Sequence, residues 1–401
     1  MKKSNILESD YLSLAAQAAS WRRHLHRHPE LSFQEIETTA YIEREISALG
    51  IPYRKVSPTG LIAFIQGNGR HQKAVALRAD IDALPIQEAL EPQKDYRSVH
   101  AGIMHACGHD YHTANLLGVA HALARDTTRL EGNVVLIFQA AEERAPGGAK
   151  AIVESGILSE YQVEHVLGLH VSPEIPLGQF GFRSGIMMAS ADELYLRVIG
   201  QGGHGAQPQR AVDPVMITAQ LLVALQQIVS RHADPRIPSV LSFGKVEAAG
   251  STNIIPNEVY LEGTFRTTDE AWRAKALQQI QKVTHELCEA MGAEAVLEIK
   301  AGYPALLNEE KVVNWIKNTA AQRFGNQALL DIPIWMASED FAYYAQQLPS
   351  AFFLVGTRNE AKGIVSDLHT PTFDLDESIL ERSIPLMVDT THYILEQLAA
   401  P

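Results

Sequence analysis

Residues 105–112 (HACGHDYH) concentrate side chains that bind metal ions. Cys107 and His109 stand two positions apart, so on a helix they would point away from each other. Both can reach one site only where the backbone is extended or turning, and Gly108 permits a turn. Apolar residues then recur at helical spacing, with Asp110 placed to cap the helix. The pattern predicts a turn that carries metal ligands and leads into a helix.

Taken alone, Cys107-Gly108-His109 could equally be a buried thiol beside a core histidine. Other polar residues that follow apolar runs or stand in polar loops favour a metal site. The candidate ligands are Cys107, His109, Glu143, His170 and His369. Five ligands exceed what one zinc ion normally uses, so the set predicts two divalent cations that share a bridging ligand. A thiolate suits that place, which favours Cys107 as the bridge, and the donor types suit zinc or manganese.

Glu142 stands directly before the candidate ligand Glu143. Adjacent side chains point in different directions, so one carboxylate can bind a cation while the other faces a water molecule. A Glu-Glu pair is most often solvated surface, but the buried strand predicted just before this pair favours a site. We therefore interpret Glu142 as a general base, and later a general acid, in amide hydrolysis by a metal-activated water.

The elements that must position these residues alternate between strands and helices. Short apolar runs predict buried strands at residues 61–65, 74–77, 134–138 and 166–169. This alternation predicts an α/β fold with a mostly parallel sheet. Candidate residues follow the ends of these strands, namely Asp80, Asp82, Glu142, Glu143 and His170. Sites in open α/β sheets form outside the carboxyl ends of strands, so we expect these residues to converge.

The sequence pattern changes near Ile186. Strand-like and helical segments follow in the order β-α-β-β-α-β, at 193–199, 214–231, 240–246, 259–266, 270–291 and 295–299. This order is typical of a ferredoxin-like α+β domain with one antiparallel sheet. We therefore predict an inserted domain at residues 186–298, within a larger domain formed by 1–185 and 299–401.

Composition restricts the class of protein. A chain of 401 residues favours two domains, and a net charge of −13 argues against nucleic acid as a partner. The polar first ten residues do not form a secretory signal, and no apolar run approaches the length of a membrane span, so we expect no membrane partner. Two cysteines do not make a disulfide framework, which favours the cytoplasm.

Two further motifs are ambiguous. His24, His26 and His28 could bind a metal ion, although a surface helix and its terminal turn explain them as well. The glycine-rich residues 200–205 lack the spacing of a phosphate loop and of the dinucleotide fingerprint, so we expect no nucleotide there.

A series of short motifs in this sequence resembles the amidohydrolase branch of the M20 metallopeptidase family. The motifs are 78–85 (RADIDALP), 104–110 (MHACGHD), 138–143 (FQAAEE), 168–170 (GLH), 202–206 (GGHGA), 253–256 (NIIP), 263–266 (GTFR), 338–341 (SEDF) and 368–371 (LHTP). The resemblance extends from about Trp21 to the last helix, nearly the whole chain. This branch includes aminoacylases, hippurate hydrolases, indole-acetyl-amino-acid hydrolases and N-acetyl-diaminopimelate deacetylases.

The resemblance implies a zinc-peptidase-like catalytic domain with an inserted lid or dimerisation domain, and a homodimer or higher homo-oligomer formed through that lid. It assigns metal binding to the same five candidate ligands and proton transfer to Glu142. Asp82 matches an aspartate that orients a ligand. Asp80 stands where other branches carry a ligand histidine, so the ligand set of the first metal is open.

The resemblance also implies residues that hold the substrate. His204 would polarise the scissile carbonyl or its oxyanion. Asn253 and Arg266 would hold a free carboxylate, for which a guanidinium group is suited.

These patterns together predict a metal-dependent amidohydrolase. Its small-molecule substrates would be N-acyl amino acids, which it would cleave into a carboxylic acid and a free amino acid. A dipeptidase or carboxypeptidase with the same metals is the alternative, and it would need an acidic residue to hold the substrate ammonium group. A non-catalytic metal- or ligand-binding relative is a third interpretation, against which the intact Glu142 argues.

Overall fold

The structure is a computed structural model that describes residues 6–69, 71–90 and 94–399. Its α-helices are α1 (Glu8–Arg27), α2 (Ile36–Ala48), α3 (His109–Ala124), α4 (Gly148–Glu154), α5 (Ile157–Glu160), α6 (Pro214–Gln227), α7 (Glu270–Ala290), α8 (Glu310–Phe324), α9 (Ala342–Ala345) and α10 (Leu380–Ala399). Its strands are β1 (Tyr53–Arg54), β2 (Leu61–Ile65), β3 (Ala74–Asp80), β4 (Asn133–Gln139), β5 (Val163–Pro176), β6 (Phe180–Phe182), β7 (Gly185–Met188), β8 (Ser190–Ile199), β9 (Gly203–His204), β10 (Ser239–Glu247), β11 (Ile254–Ile255), β12 (Glu258–Thr267), β13 (Glu294–Ala301), β14 (Leu306–Asn308), β15 (Leu329–Asp331) and β16 (Ser350–Arg358). Among these described helices, none is both long enough and apolar enough to cross a bilayer.

The chain divides into two compact units. Unit 1 comprises Met1–Gly185, Leu307–Pro333 and Asp340–Pro401, and unit 2 comprises Ile186–Leu306 and Ile334–Glu339. Each unit has its own apolar core.

Unit 1 is built on an eight-stranded sheet in the order β1-β2-β4-β3-β5-β16-β6-β15. The central neighbours β4, β3, β5 and β16 run parallel, as do β6 and β15. The pairs β1–β2, β2–β4 and β6–β16 are antiparallel. The sheet is mixed and mostly parallel, which confirms the α/β prediction. Strands β3 and β4 are buried along their whole length, as expected of strands covered on both faces.

Helix α3 begins at the turn that the sequence predicts, but the prediction that Asp110 caps it is wrong. Gly108 occupies the N-cap position with a φ of 90°, which glycine adopts without strain. A Cβ atom there would also lie 2.4 Å from Cγ2 of Val171. The Asp110 carboxylate is held by α1 instead, because its Oδ2 accepts a hydrogen bond from Arg22 Nε at 2.7 Å and lies 2.8 Å from His26 Nδ1.

Strand β5 does not end at His170, as the apolar run predicts, but continues to Pro176. Its second half remains paired because β16 runs beside it, with Leu354 opposite His170 and Val355 opposite Val171. His170 therefore lies within a strand.

Unit 2 contains a four-stranded sheet in the order β10-β12-β8-β13, in which every neighbouring pair is antiparallel. The strands of this sheet and the two helices follow one another as β8-α6-β10-β12-α7-β13, and the short strands β9 and β11, which lie between them in the chain, pair with each other. Residues of β8 alternate between buried and more exposed positions, so one face of the strand joins the core. Leu221 of α6 and Ile280 of α7 belong to the same core as Leu196 and Leu261 of the sheet.

Candidate metal centre

Strand register brings polar side chains of unit 1 to one level of the sheet. Asp80 at the end of β3 is paired with Gln139 at the end of β4. On the other side, Arg78 of β3 is paired with Gly168, two residues before His170 of β5. The segments that follow β3 and β4 therefore begin at the level of His170 in the sheet, as expected for a site at the carboxyl ends of parallel strands.

Cys107 lies at the middle of the candidate metal centre. Its Sγ atom is 3.3 Å from His170 Nε2 and 3.2 Å from His369 Nε2. His369 Nε2 is in turn 3.2 Å from Glu143 Oε1. Residues separated by more than 260 positions in the sequence thus meet around one buried thiol.

The five candidate ligands form two groups that share Cys107. The first group is Cys107, His109 and His170, and the second is Cys107, Glu143 and His369. Within each group the possible ligating atoms lie within 4.8 Å of one another. The structure therefore brings together all five side chains, with the thiol common to both groups.

The donor atoms fit divalent cations. His109 Nε2 and Glu143 Oε1 are buried and have no hydrogen-bond partner among the described residues. A buried polar atom without a partner is costly, and a bound cation would supply that partner. His109 Nδ1 lies 3.0 Å from the backbone oxygen of Asp82 and 3.2 Å from its Oδ1, so Nδ1 donates to Asp82 and Nε2 is the nitrogen that a cation, in place of a proton, would occupy.

The electrostatic surroundings of this centre are negative. Burial opposes protonation of His109, but Asp80 and Asp82 outweigh it and raise the pKa of His109 to about 10. Burial raises the pKa of the Cys107 thiol well above its usual value, and the carboxylates of Glu143 and Glu142 raise it further. The protein thus favours positive charge at this position, and a bound cation would stabilise the thiolate.

Asp82 connects two of the candidate ligands. Its Oδ1 faces His109 Nδ1, while its Oδ2 accepts hydrogen bonds from Ser32 Oγ at 2.7 Å and from the Glu143 backbone N–H at 2.9 Å. Burial favours the neutral acid, but these hydrogen bonds, that of His109 first, lower the pKa of Asp82 below its usual value. The carboxylate therefore fixes the ring of one ligand and the backbone of another.

Asp80 is surrounded by hydrogen-bond donors. Its Oδ2 accepts from Arg78 Nη1 at 2.6 Å, and its Oδ1 lies 2.6 Å from His112 Nδ1. His112 Nε2 accepts from the Val171 N–H at 3.0 Å, so its Nδ1 must be the donor to Asp80. Asp80 Oδ2 lies 3.7 Å from His109 Nε2. Asp80 thus supplies negative charge beside a ligand while both its oxygens are engaged by other side chains.

The backbone before Glu142 has an unusual conformation. Ala141 has a φ of 56°, which side-chain-bearing residues rarely adopt, and its N–H donates to Glu35 Oε1 at 2.8 Å. His369 has a φ of 59°, and its N–H donates to the Ala106 oxygen at 2.8 Å. Such conformations cost about 1–3 kcal/mol each and persist where the surroundings enforce them. One of these two residues is itself a candidate ligand, and Ala141 lies two residues before the candidate ligand Glu143.

Glu142 is buried beside the ligands, with Oε2 at 3.9 Å from His109 Nε2. Glu143 Oε1 lies at the same distance from that nitrogen. The adjacent carboxylates therefore both approach His109, and Glu143 also approaches His369.

The candidate substrate-binding residues belong to unit 2. His204 lies on β9 opposite Ile254 of β11, and the Gly205 N–H donates to the Asn253 oxygen at 2.8 Å, so His204 and Asn253 are neighbours in one two-stranded ribbon. His204 Nδ1 accepts from the Ala206 N–H at 3.1 Å, which places the proton of the neutral ring on Nε2. Arg266 lies on β12 and donates from Nη1 to the Met336 oxygen at 2.9 Å.

Residues 76–392 match the sequence family described as peptidase family M20/M25/M40. The chain belongs to this family. The N-acetyl-L-cysteine deacetylase of Bacillus subtilis (strain 168) is 38% identical to it over 385 residues, covering 96% of this chain and 89% of that protein. The thermostable carboxypeptidase 2 of Saccharolobus solfataricus is 34% identical over 379 residues, covering 94% of each chain.

A solved structure supports the same family assignment. The crystal structure of a dinuclear metal binding peptidase from the M20 family of Bacillus subtilis is 32% identical, with a TM-score of 0.81, and the alignment covers 96% of this chain and 99% of that one. This chain is thus a metal-dependent amidohydrolase of the M20 family. The matched range 76–392 includes all five candidate ligands and Glu142. Ser32 and Glu35 lie before this range.

The sequence alone assigns no role to Glu35, Arg78 or His112, although His112 belongs to the metal-binding stretch 105–112 and Arg78 begins the motif 78–85. Arg78 and His112 carried a weak signal, since a charged residue within an apolar strand and a third histidine beside Cys107 are both costly to bury without partners. Glu35 carried none, because its partner is a backbone N–H about 100 residues away.

Proposed function

We propose that this M20 enzyme hydrolyses the amide bond of N-acyl amino acids, releasing a carboxylic acid and a free amino acid. The observation that supports it most is the position of Cys107, whose Sγ belongs to two ligand groups beside the buried carboxylate of Glu142. A relative that covers nearly the whole chain is named for the deacetylation of an N-acetyl amino acid, which belongs to this substrate class.

The proposed cofactors are two divalent cations, zinc or manganese, held by Cys107, His109, Glu143, His170 and His369. When bound, they would supply the Lewis acidity that activates water and polarises the amide carbonyl. The sharing of Cys107 by both ligand groups supports its role as the bridge. Asp82 orients His109, since it binds the Nδ1 side of that ring.

Glu142 acts as the general base in this proposal. It takes a proton from the attacking water and later delivers it to the leaving nitrogen. Its neighbour Glu143 points towards His369 and binds a cation, so the two carboxylates divide the two roles. The hydrogen bond from Ala141 to Glu35 holds the backbone from which both side chains extend.

The substrate would be held by side chains of unit 2. The Nε2–H of His204 is a donor suited to the scissile carbonyl or its oxyanion, and the Asn253 amide lies beside it in the β9–β11 ribbon. The Arg266 guanidinium, fixed by its bond to the Met336 oxygen, would bind the substrate carboxylate.

We propose that unit 2 is a ferredoxin-like lid and dimerisation domain inserted into the zinc-peptidase-like catalytic unit. Its β-α-β-β-α-β order and antiparallel sheet support this interpretation. The proposed enzyme is a cytoplasmic homodimer, or a higher homo-oligomer formed through unit 2. Light scattering during size-exclusion chromatography tests the oligomer, since a monomeric mass would contradict it.

A carboxypeptidase or dipeptidase is the second candidate, because a relative over nearly the whole chain is named as a carboxypeptidase. A substrate panel separates the two functions. The purified holoenzyme would be assayed with N-acetyl, N-benzoyl and indole-acetyl amino acids and with dipeptides that carry a free α-amine. The Glu142→Gln variant serves as the blank. We expect faster cleavage of the N-acyl substrates, and faster cleavage of the dipeptides would favour the second function.

A further inference from the structure

Unit 1 contains a cavity of about 270 Å³ where α1 ends, and none of its lining residues belongs to the candidate metal centre. Three of the lining residues are histidines, His24, His28 and His100, and Glu37 and Arg44 also line it. The proposed hydrolysis uses none of these residues.

The histidines of the cavity come from two distant segments. His24 and His28 are four positions apart at the end of α1, which places them on one face, and their ring centroids are 4.8 Å apart. His100 lies more than 70 positions further along the chain, and its ring centroid is 6.2 Å from that of His28. His26, between the first two, is fully buried and lies against Asp110 and Glu88 instead. The histidines that line the cavity are therefore His24, His28 and His100. His26, which stands between the first two in the sequence, does not line it.

The protonation of these rings favours a cation as the ligand. Burial, and then the neighbouring His28 and Arg44, lower the pKa of His24, while burial, His100 and Arg27 lower that of His28. Both rings are therefore neutral at pH 7 and present lone pairs. His100 Nδ1 lies 3.0 Å from the Pro29 backbone oxygen, to which it donates, so its Nε2 presents a lone pair as well.

We propose that His24, His28 and His100 form an additional metal site for a divalent cation of the zinc class, with Glu37 or water as the fourth ligand. Three neutral imidazoles and one oxygen donor are a typical zinc set. The two ligand groups of the candidate metal centre are more closely gathered, within 4.8 Å. The three imidazoles are not gathered that closely, so the exposed ring of His24 would leave its stacking on Tyr41 and turn towards His28 when the cation binds. His100 would keep its bond to the Pro29 oxygen.

The bound cation would link two segments that support the candidate metal centre. The Val99 N–H already donates to the Arg27 oxygen at 2.9 Å, and the segment that carries His100 continues directly to Cys107. A cation between His28 and His100 would fasten the end of α1 to that segment. Binding to the folded state alone would raise the melting temperature.

Zinc counting on the holoenzyme tests this site. The enzyme would be saturated with Zn²⁺, passed through a desalting column and analysed for zinc per chain by mass spectrometry. We expect the wild type to hold one more zinc ion per chain than His28→Gln, His24→Gln and His100→Gln. The matched control is His232→Gln, an exposed histidine of unit 2, which should hold as much zinc as the wild type.

A second measurement is the melting temperature of each protein as Zn²⁺ is added to the holoenzyme. It should rise for the wild type and His232→Gln and stay unchanged for the three variants. Equal zinc content in the wild type and the three variants would overturn the proposal, as would an equal loss in His232→Gln. His100 lies in an exposed segment outside the helices, so its variant provides the comparison if a variant in α1 fails to fold.

Discussion

Glu35 Oε1 accepts a hydrogen bond of 2.8 Å from the backbone N–H of Ala141, the residue with φ of 56° that precedes the Glu142-Glu143 pair. Glu35 is fully buried, and burial raises its pKa above the usual value. This contact joins the segment before α2 to the backbone that carries the proposed base and a proposed ligand. The geometry of these proposed catalytic carboxylates therefore depends on a residue that precedes the matched range 76–392.

Replacing Glu35 with Ala should remove the acceptor that stabilises the left-handed conformation of Ala141. We expect the free energy of unfolding to fall by about 1–3 kcal/mol, because the buried N–H loses its partner. We also expect kcat to fall about tenfold or more, as the Glu142 backbone shifts. Urea unfolding and steady-state kinetics measure the two effects.

The matched variant for Glu35 is Gln, which keeps an oxygen acceptor of the same length. Glu35→Gln should retain most of the stability and activity lost in Glu35→Ala. If both variants behave like the wild type, the contact does not hold the carboxylates in place.

Glu142→Gln tests the assignment of the general base. The amide keeps the size of the side chain but cannot take a proton, so we expect kcat to fall by about 10²–10⁴-fold. Metal content should be unchanged, because Glu142 is not among the five candidate ligands. Elemental analysis beside the kinetics separates the two effects, and a variant with full activity would refute the role.

Asp82→Asn tests the support of the ligand His109. The amide cannot supply the charge that stabilises the Nδ1–H of His109, and it alters the contacts with Ser32 and Glu143. Substitutions of this kind typically lower metal affinity about 10–100-fold. Competition with a chromogenic chelator measures this change. Unaltered affinity would show that Asp82 does not tune the ligand.

The candidate ligands that the structure brings together could be chosen from the sequence because their chemical types, and for several of them their positions after apolar runs, are local features. Their supports could not be found, since they depend on pairs of residues far apart in the chain. Asp110 has a favourable position to cap α3, but Arg22 and His26 of α1 engage its carboxylate and Gly108 takes the cap. His170 closes an apolar run, yet β5 continues because β16, more than 180 residues later, pairs with it.

Removal of the cations by a chelator should abolish activity and lower stability. His109 Nε2 and Glu143 Oε1 are buried, and no hydrogen-bond partner for either occurs in the described ranges, so the cations would be their partners. We expect a lower melting temperature after chelation and recovery of both properties on addition of Zn²⁺ or Mn²⁺. Differential scanning calorimetry and activity assays on one sample measure both. Full activity in protein shown by elemental analysis to be metal-free would contradict the proposed chemistry.

Arg266→Ala tests whether this guanidinium binds the substrate carboxylate. An N-acyl amino acid should show an increased KM, about 10–100-fold, because a charge-assisted hydrogen bond is lost. Its carboxamide analogue lacks the negative charge and should be affected much less, which makes it the control substrate. Arg266→Lys should recover little, since an ammonium group cannot reproduce the planar two-pronged contact. An equal change in KM for the acid and the amide would show that Arg266 acts through the structure of β12, where it binds the Met336 oxygen, and not through the carboxylate.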